Sequence, residues 1–139
     1  MAEVSMSTTL PVSARMVWGV IGGFNNLAQW HPGVVKSEEV REGAATIRRL
    51  TLRGGGAMVE RLEETDDRKR TYTYSILEGP LPVAGYSARL HVEESPDGKS
   101  CTVEWSSAFE PAGAAEPEAV KLVRGIYEAG FESLRKMFG

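Results

Sequence analysis

Hydrophobic and polar residues alternate with period two along most of the chain, and helical spacing replaces that rhythm only near the two ends. "EVSMSTTL" sets Val4, Met6, Thr8 and Leu10 against polar partners and predicts a strand. In "VSARMVWGVIGGF", Val17, Trp18 and Ile21 fall at helical spacing behind Ser13, a good N-cap, and Gly22–Gly23 ends the helix. "FNNLAQWHPGV" predicts a second short helical turn that Pro32 and Gly33 terminate. Six further strands follow: "VVKSEEV", "ATIRRLTL", "AMVERLEE", "RTYTYSIL", "YSARLHVE" and "CTVEWSSAF". The connections between them, such as "RGGG", "TDDRK" and "SPDGK", carry turn-forming residues. In the closing segment, Val120, Val123, Tyr127, Phe131, Leu134 and Phe138 line one stripe of a long amphipathic helix. Strands joined by short turns make an antiparallel sheet with one apolar face, which the helix can cover. The expected fold is therefore α+β: a curved seven-stranded antiparallel sheet around a long C-terminal helix, with two short helices after strand 1.

Alternation also assigns the inward side chains. These are Tyr72, Tyr74 and Ile76; then Tyr86, Ala88, Leu90 and Val92; then Cys101, Val103, Trp105, Ser107 and Phe109. His91 falls outside. In the hairpin "TIRRLTLRGGGAMVERL" the same parity places Arg48 with Leu50 and Leu52, and Glu60 with Met58 and Leu62. Charged groups seldom face an interior unless they are paired or in use. A three-residue loop would set Leu50 opposite Met58 and Arg48 opposite Glu60, whereas a five-residue loop would set Glu60 diagonal to Arg48. Both registers put the two charges within reach, so an internal ion pair is expected. Such a pair could simply plug the sheet, yet desolvation makes buried pairs weak sources of stability. The tyrosines, Trp105 and Ser107 around it form a set that resembles a ligand pocket.

Composition narrows the function classes. The chain has 139 residues, 42% hydrophobic and 25% charged, which suits one compact soluble domain spanning 1–139. A net charge of -3 gives no basic stripe for nucleic acid. No apolar run approaches a membrane span, and "MAEVSMSTTL" does not read as a secretory signal. The single Cys101 reads as a buried structural thiol, and His31 and His91 lack partners at metal-ligand spacing. No metal or cofactor is expected, and the cytoplasm is the default location. "RGGGAM" lacks the Lys-Ser/Thr ending of a phosphate-binding loop.

The ordered set "LAQWHPGVVKSEEV", "GAATIRRL", "VERLEETDDRKRTYTYSI", "PVAGYSARLHV" and "CTVEWSSAF" resembles the START-like, SRPBCC superfamily, in its polyketide cyclase/dehydrase-like branch. The resemblance spans nearly the whole chain and implies the helix-grip fold, a sheet gripping the C-terminal helix around a hydrophobic cavity. Lachrymatory factor synthase, a member, uses an arginine and a glutamate on strands matching those of Arg48 and Glu60. The abscisic acid receptors hold a ligand carboxylate with a lysine matching Lys36 in "VVKSEEV", and their pocket tyrosine matches Tyr86 in "GYSA". The receptor gate "SGLPA" is "RGGGA" here and the latch "HRL" is "PLP", which speaks against a hormone-type switch.

Three functions are compatible with these residues. The first is binding of one small, largely hydrophobic, lipid- or polyketide-like molecule. The expected ligand-binding residues are Lys36, Leu50, Met58, Leu62, Tyr72, Tyr74, Tyr86, Trp105, Phe109, Val123, Tyr127 and Trp30. The second is a cyclase or dehydratase with Glu60 as general acid/base and Arg48 steadying an oxyanion or lowering the glutamate's pKa. The third is a protein-interaction module whose cavity is vestigial, and the chain itself is expected to be a monomer or a homodimer. His31 either ends a helix or guards the cavity mouth, and Trp18 belongs to the core. Gly125 and Gly130 let the helix approach the sheet or leave room for a ligand.

Overall fold

The computed structural model describes residues 1–139. β1 (Ala2–Leu10) leads into α1 (Ala14–Ile21), a 3-10 turn (Phe24–Asn26) and the single-turn α2 (Leu27–Trp30). Six strands follow, β2 (Val34–Glu42), β3 (Ala45–Leu52), β4 (Ala57–Asp66), β5 (Thr71–Glu78), β6 (Val83–Glu94) and β7 (Cys101–Pro111). The chain closes with α3 (Glu116–Phe138). All seven strands form one antiparallel sheet in the order β1-β7-β6-β5-β4-β3-β2. The curved sheet, its two short helices after β1 and the long C-terminal helix reproduce the architecture that the alternation predicts.

Local chemistry explains the element ends. Ser13 caps α1 by accepting from the Met16 N–H (3.4 Å), and the Gly22 N–H closes the helix on the Trp18 carbonyl (2.8 Å). Pro117 stands in the first turn of α3, where its missing N–H leaves no bond unmade. The β3–β4 turn needs φ of 88°, 110° and 93° at Gly54, Gly55 and Gly56, values closed to side chains with a Cβ. At the exposed edge, β2 carries Lys36, Glu38, Glu39, Arg41 and Glu42, charges that discourage pairing with another strand.

α3 packs chiefly over β1 and β7, burying Ala119, Val123, Tyr127, Gly130, Phe131 and Leu134. Val120 and Phe138, at the margins of the expected stripe, are half-buried. Trp18 is a correction: it is half-buried, and its Nε1–H donates to Asp67 at the β4–β5 turn (3.1 Å), which an interior residue could not do. Gly130 lets the helix approach, because a Cβ there would lie 2.9 Å from the Trp30 ring and 3.0 Å from the Trp105 ring. Gly125 does not, since it faces open space. The half of the concave face over β3 to β5 is left to α2, the 3-10 turn and the site described next.

Candidate functional site

The β3–β4 hairpin adopts the three-residue register. Arg48 lies opposite Glu60 and Leu50 opposite Met58, and the Leu52 N–H bonds the Gly56 carbonyl (3.0 Å). Arg48 Nε donates to Glu60 Oε1 at 2.7 Å, and Nη2 sits 2.7 Å from the same oxygen without a well-directed hydrogen bond. Nη1 donates to the Phe24 carbonyl (2.5 Å) and more weakly to the Tyr72 hydroxyl (3.4 Å). The guanidinium lies 4.1 Å from the Phe24 ring centre and 5.0 Å from that of Tyr74. Arg48 is fully buried at 0% exposure and Glu60 nearly so at 4%.

Burial pushes the Glu60 carboxyl above its usual range, and the Arg48 guanidinium pulls against that rise. Burial also opposes the Arg48 charge, but the attraction of Glu60 and the surrounding tyrosines outweighs it and raises its pKa. An arginine cannot give up its proton inside a protein. The cation beside Glu60 is therefore fixed, and the carboxyl next to it holds its proton more firmly than an exposed one. Glu60 Oε2 takes no part in these bonds.

Beside the pair runs a row of hydroxyls. Trp105 Nε1–H donates to Tyr74 Oη (3.0 Å), Tyr74 meets Tyr86 (3.3 Å), and Tyr86 makes a short bond to Tyr127. Trp105 also stacks on Tyr127 at 4.3 Å between ring centres. Burial raises the Tyr74 and Tyr86 pKa values well above the phenol range and that of Tyr127 likewise, so the row stays protonated. The Ser107 hydroxyl lies beside Tyr127 without a directed bond of its own.

A cavity of about 210 Å³ lies against this network. Val34, Leu50, Leu52, Met58, Glu60, Tyr74, Ile76, Tyr86 and Trp105 supply its sheet side, and Leu27, His31 and Ile126 its helix side. Gly33, Arg53, Pro80 and Leu81 surround the end that reaches the surface. His31 forms part of the wall with both ring nitrogens engaged: the Gly33 N–H donates to Nδ1 (3.0 Å), so Nε2 carries the proton and donates to the Ile126 carbonyl (2.7 Å). Burial lowers its pKa, the bond to Ile126 partly offsetting this.

Of the residues expected at the site, the structure gathers Glu60, Leu50, Met58, Tyr74, Tyr86 and Trp105 at the cavity. Arg48 and Tyr72 stand behind Glu60, while Phe109, Val123, Tyr127 and Trp30 are packed core. Leu62 is half-buried opposite Tyr74, just before a β-bulge at Leu62/Glu64, and does not line the cavity. Lys36 is the clearest correction. A bulge between Val34 and Lys36 breaks the parity they share in the sequence, so Val34 is buried and Lys36 points to solvent, paired with Glu38 at 3.2 Å. Leu27, Gly33, Arg53, Leu81 and Ile126 carried no sequence signal as lining residues, because loops and a helix flank bring them there.

Among curated proteins none matches the sequence. Among solved structures, an uncharacterised protein from Bacillus thuringiensis shares 38% identity and a TM-score of 0.92, covering 99% of this chain and 98% of that one. The Zhui aromatase/cyclase from Streptomyces sp. R1128 shares the fold at 19% identity, with a TM-score of 0.74 over 97% of this chain and 89% of that one. A START superfamily protein from Mycobacterium smegmatis does so at 14% identity, with a TM-score of 0.81 over 98% and 96%. Residues 1–139 in full match the family described as polyketide cyclase / dehydrase and lipid transport, and the chain belongs to that family.

Proposed function

We propose that the protein binds one small, largely hydrophobic molecule in the cavity between the sheet and α3. The observation that carries this reading is the lining itself: 11 of the 16 residues around the cavity are hydrophobic, and a carboxylate with an unpartnered oxygen stands among them. Apolar walls supply contact area, and one convergent polar group fixes orientation. The family description, which joins cyclases, dehydrases and lipid transport, accommodates a carrier of this kind.

A cyclase or dehydratase reaction is the second reading. Glu60 favours it, since burial moves its carboxyl toward the range of a general acid/base. Arg48 weakens it. Its guanidinium is turned to Glu60 and the Phe24 carbonyl and does not line the cavity, so it offers no donor to a substrate oxyanion.

Native mass spectrometry of freshly purified protein tests the binding reading. Mass above the bare chain that dissociates as a single small apolar molecule supports it. If the protein emerges bare, and no apolar probe raises its melting temperature, the reading fails.

A further inference from the structure

The polar groups around the cavity differ in what they leave unused. His31 spends both nitrogens on Gly33 and Ile126. Trp105 donates to Tyr74, and the hydroxyls of Tyr74, Tyr86 and Tyr127 bond one another in a row. Arg53 stands at the exposed rim with its Nε on the Pro32 carbonyl (2.7 Å). What remains facing the interior is an acceptor without a donor, Glu60 Oε2, and it belongs to a carboxylate whose countercharge is already bound on the other oxygen. A site built this way offers a charged acceptor, and a ligand that supplies a hydrogen-bond donor answers it.

Size sets the second limit. An engineered apolar cavity of about 150 Å³ takes up benzene, and drug-sized ligands occupy roughly 300–1,000 Å³. At about 210 Å³ this cavity fits one ring with a short alkyl group, and is too small for a fused polycycle or a long acyl chain.

We propose that the cavity selects an uncharged, single-ring molecule that donates one hydrogen bond, of the alkylphenol class, and rejects carboxylic acids, with Glu60 Oε2 as the acceptor. This rests on the ligand-binding reading above and specifies what it binds. A carboxylate of the same shape would meet the Glu60 charge with no free interior cation to offset it. A hydrocarbon of the same shape would leave Oε2 desolvated and unpaired.

Three matched probes test this on the intact protein at pH 8: 4-ethylphenol, ethylbenzene and 4-ethylbenzoate, with affinities from calorimetric titration. A hydrogen bond to a charged group contributes about 1.5–3 kcal/mol, so 4-ethylphenol should bind at least about tenfold tighter than either analogue. Glu60→Gln should reduce that advantage below about threefold. Should that variant fail to fold, the wild-type protein supplies the readout: the phenol's advantage should shrink as pH falls through the raised Glu60 pKa, and a flat profile would overturn the proposal. Equal binding of all three probes, or tighter binding of 4-ethylbenzoate, overturns the selectivity and leaves the binding reading standing. If none of the three binds, nor does 1-dodecanol as a larger apolar probe, both fall together.

Discussion

Removing the Glu60 charge while keeping its shape should destabilise the protein less than removing its partner, because burial already favours the uncharged carboxyl. Glu60→Gln leaves a guanidinium at 0% exposure that cannot lose its proton. Breaking a buried pair from one side costs about 3–5 kcal/mol. The amide oxygen can still accept from Arg48 Nε, the Phe24 and Tyr74 rings still face the cation, and burial already favours an uncharged side chain at this position, which places the cost below that range, at about 1 kcal/mol. For a chain of this length that lowers the melting temperature by roughly 3 °C. Arg48→Met has an escape that Glu60→Gln lacks, because the stranded carboxyl can bind a proton. Its cost should therefore shrink on acidification, by up to about 1.4 kcal/mol per pH unit from the raised folded pKa of that carboxyl down to its unfolded value. The double variant Arg48→Met/Glu60→Leu removes both charges and leaves the Phe24 carbonyl without its 2.5 Å donor. That lost bond costs about 1–2 kcal/mol, so the double variant should lie within that distance of the parent and above Arg48→Met at pH 8. Urea melts of the four proteins at pH 5 and pH 8 give all the quantities. If the double variant is as unstable as the sum of the two single ones, the pair is a net source of stability and its retention for a ligand is refuted.

Two further changes probe the site's surroundings. Gly130→Ala would push a methyl group against the Trp30 and Trp105 rings and should cost about 1–3 kcal/mol despite the helix-propensity gain, whereas Gly125→Ala meets open space and should gain up to about 1 kcal/mol; thermal melts that rank them oppositely would contradict the packing described. His31 has a folded pKa below its unfolded value near 6.5, so its contribution is complete above that pH and is lost as pH falls toward the lower folded value. Glu60 has the opposite sign: with its folded pKa above the unfolded value, stability declines as pH rises through that interval. His31→Gln should therefore flatten the loss of stability between about pH 6.5 and 5, as read by melts across that range, and an unchanged slope would remove His31 from the account.

The ion pair was legible in the sequence because a hairpin obeys two local rules, alternation and register, and both acted on the short stretch from Arg48 to Glu60. The resemblance, not the alternation, places Lys36 at the site, and a bulge, one extra residue whose position follows from how β2 meets β3, turns it to solvent without leaving a mark in the sequence. Alternation also reports which side chains turn inward but not how the inner space is filled. Tyr127, Phe109 and Val123 turn inward and are packed, while Tyr74 and Tyr86, of the same chemistry, reach a cavity. That difference arises where α3 sits over β1 and β7, a long-range docking that no window of residues encodes. Ile126 lies off the expected helix stripe, Leu27 opens the single-turn α2, and Gly33 and Leu81 sit on connecting segments, so the cavity's far wall needed the fold.

The central claim is that a small hydrogen-bond donor enters between the sheet and α3 and rests on Glu60. A titration of isotopically labelled protein with 4-ethylphenol, followed by amide and methyl NMR spectra, tests it most directly. The account predicts saturable shifts at Leu50, Met58, Ile76 and Ile126, with Lys36 and Leu122 unmoved. Shifts confined to the outer surface of α3, or none at Leu50 and Met58 at saturation, would contradict it.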